Sequence, residues 1–302
     1  MVRLLLAVAS VGLGVQSVSA AAAASPRSFA TPRQAADALV AAAGGEDVPA
    51  LVAIFGTSGK KLVVSGDDVR DRNDREKFAA LAREKLEVVT DPKDVHRARL
   101  VVGNDAWPFP VPLVQKSGKW SFAAKDGLRE IVARRVGANE LDAIEICRGY
   151  VEAQKEYAQE DRDGDGILEY AQKVISSPGK RDGLAWKNPD GSLGGPIAES
   201  IAAAIAEGYS DKKQPYHGYR FRILKRQGPS AHLGAMDYVH DGKMIGGFAL
   251  VAWPAEYGSS GVKTFIVNHD GVVHEKDLGA DTSKVVARME RYDPDKSWHV
   301  VP

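Results

Sequence analysis

The chain has 302 residues, of which 44% are hydrophobic and 26% are charged. This composition is typical of a globular protein with one large domain or two smaller ones. Forty lysines and arginines balance forty aspartates and glutamates. Because this balance gives no overall field that would attract a phosphate backbone, we exclude nucleic acid as an expected partner.

The first 24 residues carry the pattern of a secretory signal peptide. Arg3 supplies a positive charge, residues 4–15 are apolar, and Val18-Ser19-Ala20 places small residues where a signal peptidase cleaves. A spanning helix needs about 20 apolar residues, so an uncleaved anchor is the lesser alternative and no transmembrane segment is expected after cleavage. No lipobox cysteine follows, since Cys147 is the single cysteine. The sequence therefore predicts a periplasmic or secreted bacterial protein.

Residues 25–137 are predicted to form an N-terminal α+β domain in which helices precede strands. Thr31 is a good N-cap with Pro32 at the first helical position, and Gly44-Gly45 ends that helix. Apolar spacing predicts two further helices, at residues 48–55 and from 66 to about 86. Alternation then predicts strands at residues 97–102, 109–115 and 119–123. We expect a small antiparallel sheet similar to that of cystatin-like or NTF2-like folds.

Residues 107–112 (WPFPVP) carry prolines at alternate positions. Proline lacks an N–H group, so this pattern favours an edge strand whose outer side needs no partner. A peptide-contact surface is the alternative interpretation.

Residues 138–302 are predicted to form a second α+β domain built on one long helix. Gly137-Ala138 separates this helix from a shorter one at residues 127–137, and Asn139 is its expected cap. One strip of the helix carries Ala143, Cys147, Tyr150, Gln154 and Tyr157. Such an apolar strip is suited to lie across a sheet, with Cys147 as a buried, unreactive thiol.

The rest of the second domain is predicted to be an antiparallel sheet with two more helices. The helices are expected at residues 197–207 and 282–289. Strands are expected at residues 219–224, 235–240, 247–253, 262–268 and 272–276, the last two joined through an Asp270-Gly271 turn.

The candidate metal site is the acidic loop, residues 161–166 (DRDGDG), which follows the long helix. Asp161, Asp163 and Asp165 stand at positions 1, 3 and 5 of the D-x-D-x-D-G calcium pattern, and the Ile167 carbonyl and Glu169 are further candidate ligands. Position 12, where an EF-hand has a bidentate glutamate, is Gln172. The alternative is a solvated turn in which aspartate and glycine serve the backbone.

Other polar residues give weaker patterns. His269 and His274 bracket a hairpin turn, where zinc is conceivable. Asp237, His240 and Ser259-Ser260 supply the residue types of a hydrolase triad, although no G-x-S-x-G elbow is present. The loop at residues 253–261 is either a recognition surface or a packed omega loop.

Five motifs resemble those of a family of uncharacterised exported bacterial proteins known as DUF2950. They are residues 107–110 (WPFP), 163–166 (DGDG), 178–183 (PGKRDG), 246–254 (GGFALVAWP) and 267–273 (VNHDGVV). This resemblance implies export and leaves the activity open. The second domain also resembles the globular headgroup of type IV pilins and pseudopilins, with a long helix and a closing hairpin. The pilin processing site, Gly-Phe-x-x-x-Glu before an apolar helix, is lacking, so only headgroup architecture is implied.

Together these patterns predict an exported envelope protein that acts by binding, as a non-enzymatic or accessory module for an envelope protein partner, with calcium as a candidate stabilising ion. The alternative is a hydrolase-like envelope enzyme with a site near residues 237–261. Convergence of the polar side chains in that stretch would favour the enzyme.

Overall fold

The computed structural model describes residues 25–64, 68–190, 192–197 and 218–302. The chain divides into two compact units, Met1–Leu128 and Arg129–Pro302. Both contain helices and antiparallel sheets, so the predicted α+β class is confirmed. The signal peptide at residues 1–24 and the predicted helix from residue 198 to 207 lie outside the described residues. Within the described ranges, no helix combines the length and apolar character needed to cross a membrane.

The first unit packs helices on an antiparallel sheet of order β1-β2-β4-β5, with β3 pairing β2. Its elements are α1 (Pro32–Gly44), α2 (Val48–Phe55), a 3-10 helix (Thr57–Leu62), α3 (Asp68–Glu84), β1 (Leu86–Asp91), β2 (Asp94–Val102), β3 (Trp107–Pro108), β4 (Leu113–Lys116) and β5 (Lys119–Phe122).

The ends of α1 follow the predicted signals. The Thr31 side chain accepts a hydrogen bond from the Gln34 N–H at 3.1 Å, and Pro32 occupies the first turn. Gly45 closes the helix by donating to the Ala41 carbonyl. The hydroxyl cap and the proline therefore act here as the sequence predicts.

Two predictions for this unit need correction. Leu86 does not belong to the third helix but opens β1, which pairs along β2 and which the sequence analysis missed. The predicted strand at residues 109–115 begins too early, since β4 covers Leu113–Lys116 and the two-residue β3 precedes the predicted range; both strands pair with β2. Prolines at positions 110 and 112 interrupt the ladder, because proline cannot donate to it. β3 pairs with β2 alone among the described strands, as expected of an edge segment.

The second unit packs α4 on a five-stranded antiparallel sheet of order β16-β15-β14-β13-β8. Three two-stranded ribbons, β6-β7, β9-β10 and β11-β12, accompany this sheet. The elements are α4 (Ala124–Tyr157), β6 (Trp186–Lys187), β7 (Leu193–Gly194), β8 (Tyr219–Leu224), β9 (Arg226–Gln227), β10 (Met236–Asp237), β11 (Val239–His240), β12 (Lys243–Met244), β13 (Ala249–Pro254), β14 (Lys263–Asn268), β15 (His274–Asp277), α5 (Thr282–Ala287) and β16 (His299–Val300).

The predicted break at Gly137-Ala138 is wrong, because α4 runs through it as one 34-residue helix. Asn139 does not cap a helix; its side-chain amide donates to the Ser260 carbonyl at 2.8 Å. Glycine in a helix interior costs about 1 kcal/mol relative to alanine, and tertiary contacts such as that of Asn139 offset this cost. The predicted domain boundary after residue 137 and the division of the compact units after Leu128 both fall inside α4.

The predicted apolar strip of α4 is confirmed. Ala143, Cys147, Tyr150, Gln154 and Tyr157 are all buried. All of them except the polar Gln154 share one hydrophobic cluster with side chains of the main sheet, among them those at positions 221, 250 and 265. Fully burying a side chain such as valine or phenylalanine contributes roughly 1.5–3 kcal/mol, so this face accounts for a large part of the stability of the unit.

Gln154 is the polar member of the strip and fixes the chain beyond the acidic loop. Its carbonyl oxygen accepts from the Ala171 N–H, and its amide donates to the Ala171 carbonyl, both at 2.8 Å. The same amide donates to the Tyr150 hydroxyl at 2.9 Å. The loop between Tyr157 and Ala171 is therefore tied at both ends to α4.

The remaining strand predictions are confirmed, except that one predicted strand is divided in two. Residues 235–240 form two short strands in separate ribbons, β10 with β9 and β11 with β12. The sequence analysis missed β6, β7, β9, β12 and β16, each only two residues long. Strands of this length are too short to show an alternating pattern.

Candidate functional site

The acidic loop begins four residues after α4 ends. Both oxygens of Asp161 accept backbone hydrogen bonds, from the N–H groups of Gly164 and Gly166, each at 2.8 Å. These two glycines have φ of 78° and 86°, a region that side-chain-bearing residues rarely adopt. The D-x-x-G-x-G spacing therefore folds the loop around the first aspartate. These bonds lower the pKa of Asp161.

The structure brings the three predicted aspartates together. Asp161, Asp163 and Asp165 are all exposed, and one carboxylate oxygen of each lies within 4.8 Å of the others. In the described part of the chain, this is the single place where three or more metal-ligating side chains converge. Hard carboxylate oxygens are the ligands that calcium prefers, so the donor set fits such an ion.

A lysine from a different element already contacts this cluster. Lys243 Nζ lies 3.1 Å from Asp163 Oδ2 and also contacts Asp165 Oδ2. Lys243 opens β12, directly after a two-residue turn in which Asp241 and Gly242 have φ of 48° and 83°. Positive φ at both positions is the geometry of a type I′ hairpin, which the Asp-Gly pair favours.

The opposite charges at this contact shift each other's pKa. The hydrogen bond to Asp165 raises the pKa of Lys243, with Asp163 adding to the effect. The same bond is the main reason that the pKa of Asp165 is lowered. The Lys243 ammonium group therefore offsets part of the repulsion between these neighbouring carboxylates, as a bound cation would. Sequence distance concealed this partner, since Lys243 lies 80 residues from Asp163.

The other two predicted ligands, Ile167 and Glu169, lie at different positions around the loop. The Ile167 N–H donates to Asp165 Oδ1 at 2.9 Å, and Glu169 borders the adjoining cleft. Burial raises the pKa of Glu169, and the charge of Lys243 opposes that rise. Gln172 donates to the Gly242 carbonyl at 2.6 Å and accepts from Lys225 Nζ at 3.1 Å, so it braces the hairpin.

A cleft of about 420 Å³ adjoins the acidic loop. Positively and negatively charged side chains both line it. The lining comprises four carboxylates (Asp163, Glu169, Asp182, Asp241), three ammonium groups (Lys173, Lys225, Lys243), and Tyr157, Tyr170, Gln172 and Gly242. The cleft is thus suited to bind charged or strongly polar groups.

One polar cluster at the cleft was missed by the sequence analysis. Lys173 Nζ lies 2.7 Å from both the Ser177 hydroxyl and the Asp182 carboxylate, and the Ser177 N–H donates to Asp182 at 2.7 Å. Burial alone would raise the pKa of Asp182, but these partners outweigh it and lower the pKa to about 2. The Ser177 hydroxyl also donates to Asp182 at 2.9 Å, so it is held within this ion-paired cluster. The PGKRDG motif at residues 178–183 is the sequence signal that marks this cluster.

Arg162 fixes the loop on its inner side. Its guanidinium lies 4.9 Å from the ring centre of Tyr157 and 5.2 Å from that of Trp186. Its Nε donates to the Tyr157 carbonyl at 3.2 Å. Cation–π contacts of a largely buried guanidinium stabilise such an arrangement, and they hold the first turn of the loop against α4.

The residues of the alternative hydrolase site have other partners. The Ser259 hydroxyl donates to the Glu256 carboxylate at 2.9 Å, and the Ser260 hydroxyl to the Glu256 carbonyl at 3.1 Å. Asp237 pairs with Arg226 at 3.0 Å. Across the described ranges, no hydrogen bond joins either serine to Asp237 or His240.

The loop at residues 253–261 is packed against α4. Arg135 donates to the Ser259 carbonyl at 3.1 Å, and the Glu140 carboxylate accepts from the Val262 and Lys263 N–H groups at 2.9 and 3.0 Å. These contacts favour the packed omega loop over a free recognition surface.

The two histidines of the closing hairpin also differ in their surroundings. His269 packs edge-on against Tyr238 and Phe248, whereas His274 Nδ1 lies 3.2 Å from the Tyr292 hydroxyl. Their partners are distinct, and neither joins a group of three metal-ligating side chains in the described part of the chain.

These features define an α+β protein with an acidic loop at the end of a long helix that packs on an antiparallel sheet. The chain belongs to the family described as Protein of unknown function (DUF2950), whose model matches residues 26–301. The predicted family membership is therefore confirmed. Comparison with curated proteins gives no match, and comparison with solved structures gives none. The resemblance to pilin headgroups stays a prediction.

Proposed function

We propose that this protein is an exported, non-enzymatic binding or accessory module of the bacterial envelope, and that the acidic loop is its cation site. Calcium is the ion that the donor set favours, with Asp161, Asp163 and Asp165 as the primary ligands and the Ile167 carbonyl and Glu169 as additional ones. The signal-peptide pattern and the export implied by the family resemblance support the location. The adjoining cleft is the surface for an envelope protein partner.

The contact of Lys243 with Asp163 and Asp165 is the observation that carries the proposal. It marks a position where a positive charge is stabilised by two carboxylates. Four carboxylates and three lysines line the cleft, and Asp161 and Asp165 beside it bring the balance to six against three, a net charge of −3. A region with this charge attracts cations from solution.

Calcium and the Lys243 ammonium compete for the same oxygens. An incoming divalent ion replaces one positive charge by two, and the lysine side chain, about a fifth of which is exposed, has to swing away to admit it. The competition weakens the affinity of the wild-type loop. Removing the lysine charge therefore strengthens calcium binding and, without calcium, leaves three repelling carboxylates.

The test is thermal melting of the mature chain, residues 25–302, in chelator and in millimolar calcium. A ligand at about 100 times its Kd stabilises by ~2.7 kcal/mol, which corresponds to roughly 5–10 °C in Tm for a domain of this size. We expect K243Q to melt below the wild type in chelator and to gain more from calcium than the wild type does.

K225Q is the matched control, because Lys225 lines the same cleft but bonds Gln172 instead of the aspartates. It should leave the calcium response unchanged. Adding D163N to K243Q should abolish much of the gain, and magnesium at equal ionic strength should give less. If neither the wild type nor K243Q responds to calcium more than to magnesium, the cation site is disproved.

A further inference from the structure

A second pocket, of about 320 Å³, lies beside α5 and the turn that follows it. Its apolar lining comes from Ile266 of β14 and from Val285, Met289 and Trp298. Ile266 is fully buried, while Met289 and Trp298 are partly exposed. The pocket therefore has an apolar floor that solvent reaches from one side.

The turn at residues 288–291 is held in place at both ends. Arg222 of β8 donates to the Val286 carbonyl at 2.5 Å and to the Met289 carbonyl at 2.6 Å. Beyond the turn, the Tyr292 N–H donates to the Arg226 carbonyl at 2.9 Å. A rim fixed in this way loses little conformational freedom when a ligand binds.

The charges on the rim differ in whether they are already paired. Glu290 lies 3.8 Å from Arg226, and Asp293 accepts from the Ser230 N–H at 2.8 Å. Arg288 and Arg291 also line the pocket, and in the ranges that the structure describes their guanidinium groups have no ion-pair or hydrogen-bond partner. The four charges of the lining balance formally, because the Ser230 N–H is neutral and Arg226 also pairs with Asp237, but the two guanidinium groups are the ones left without a partner among the described residues.

We propose that this pocket binds a small organic carboxylate with a short apolar body. The carboxylate pairs with Arg288 and Arg291, because the planar guanidinium matches carboxylate geometry and forms two parallel hydrogen bonds. The apolar body packs on Ile266, Met289 and Trp298. The volume lies at the small end of the range for ligand pockets, which limits the body to a short chain or a single ring.

Octanoate is the probe, titrated calorimetrically into the full mature chain. Octanol, with the same body and no charge, and octyltrimethylammonium, with the opposite charge, are the two ligand controls. We expect saturable binding of octanoate and at least tenfold weaker binding of both controls. Each charged hydrogen bond is worth about 1.5–3 kcal/mol, which corresponds to a factor of ten or more.

The variant R288Q/R291Q should weaken octanoate binding at least tenfold, and both side chains are exposed, so the fold should survive. K284Q is the matched control, since it removes a charge from α5 at a residue that does not line the pocket. The proposal is overturned if octanoate does not bind at millimolar concentration, if octanol or the ammonium binds as tightly, or if the double variant keeps wild-type affinity.

Discussion

Thr264 in β14 shows how a single buried group affects stability. Its side chain is fully buried, and its hydroxyl has no hydrogen-bond partner among the described residues. Leaving a buried hydroxyl unsatisfied costs about 1–3 kcal/mol, because its hydrogen bonds with water are lost and not replaced. Valine has a similar shape and no hydroxyl. We expect T264V to raise the free energy of unfolding by about 1 kcal/mol in urea denaturation.

Thr282 is the matched control for this prediction. It is equally buried, but its hydroxyl donates to the Gly279 carbonyl at 2.6 Å. T282V removes that bond and should destabilise the protein by roughly 1 kcal/mol. A loss of stability in T264V comparable to that in T282V would contradict the prediction.

At this scale the sequence predicted residues whose role depends on local spacing. Tyr150, Gln154 and Tyr157 were assigned to the buried strip from helical periodicity, and all three are buried. Lys243 and Asp182 were not identified, because each acts through a contact with a distant segment or a folded loop. Such contacts leave no periodic pattern in one sequence.

Among the elements, α4 differs most from its prediction. Glycine and asparagine at positions 137 and 139 are typical of a helix boundary, but the contacts of Arg135, Asn139 and Glu140 with the loop at residues 259–263 keep the helix continuous. Local propensity therefore gave the wrong boundary, and tertiary packing decided it. Four of the five strands of the main sheet were predicted, because each has four to six residues, whereas β16 has two and was missed.

Two of the three glycines of α4, Gly127 and Gly137, allow a test of this interpretation. A Cβ at Gly137 would meet no atom within 4 Å, whereas one at Gly127 would lie 2.6 Å from the Val111 side chain. Since alanine favours helix by about 1 kcal/mol over glycine, we expect G137A to increase stability by ~0.5–1 kcal/mol in urea denaturation.

G127A should instead decrease stability by ~1–3 kcal/mol, through the clash with Val111. Both substitutions gain the same helix propensity, so their difference measures packing. A destabilised G137A would mean that α4 needs flexibility at that position.

At the scale of the whole molecule, the reactivity of the Cys147 thiol measures whether the second unit opens. It is fully buried in the cluster between α4 and the main sheet. Burial raises the pKa of its thiol to about 12, and nearby Arg148 opposes this only in part. At pH 8 the group is both inaccessible and protonated. We expect no labelling by a thiol reagent until this unit unfolds, with a urea midpoint that coincides with loss of its structure.

The positive control is C147A/S28C, which carries its thiol at an exposed position near the start of the described chain. It should be labelled at once in the native state. Rapid labelling of native wild-type protein would show that the second unit opens locally without global unfolding.

The type I′ hairpin of residues 239–244 places the Lys243 ammonium group among the carboxylates of the acidic loop. Lys243 belongs to the β11-β12 ribbon, which also borders the cleft. A cation bound by the acidic loop would displace Lys243 and so remove one of the contacts that hold this ribbon in place. Gln172 remains as a second contact, through the Gly242 carbonyl, and the Tyr170 N–H provides a third by donating to the Met244 carbonyl at 2.8 Å. Because these two contacts keep the ribbon in place, exchange of the lysine for a cation would alter the charge of the cleft and not its width.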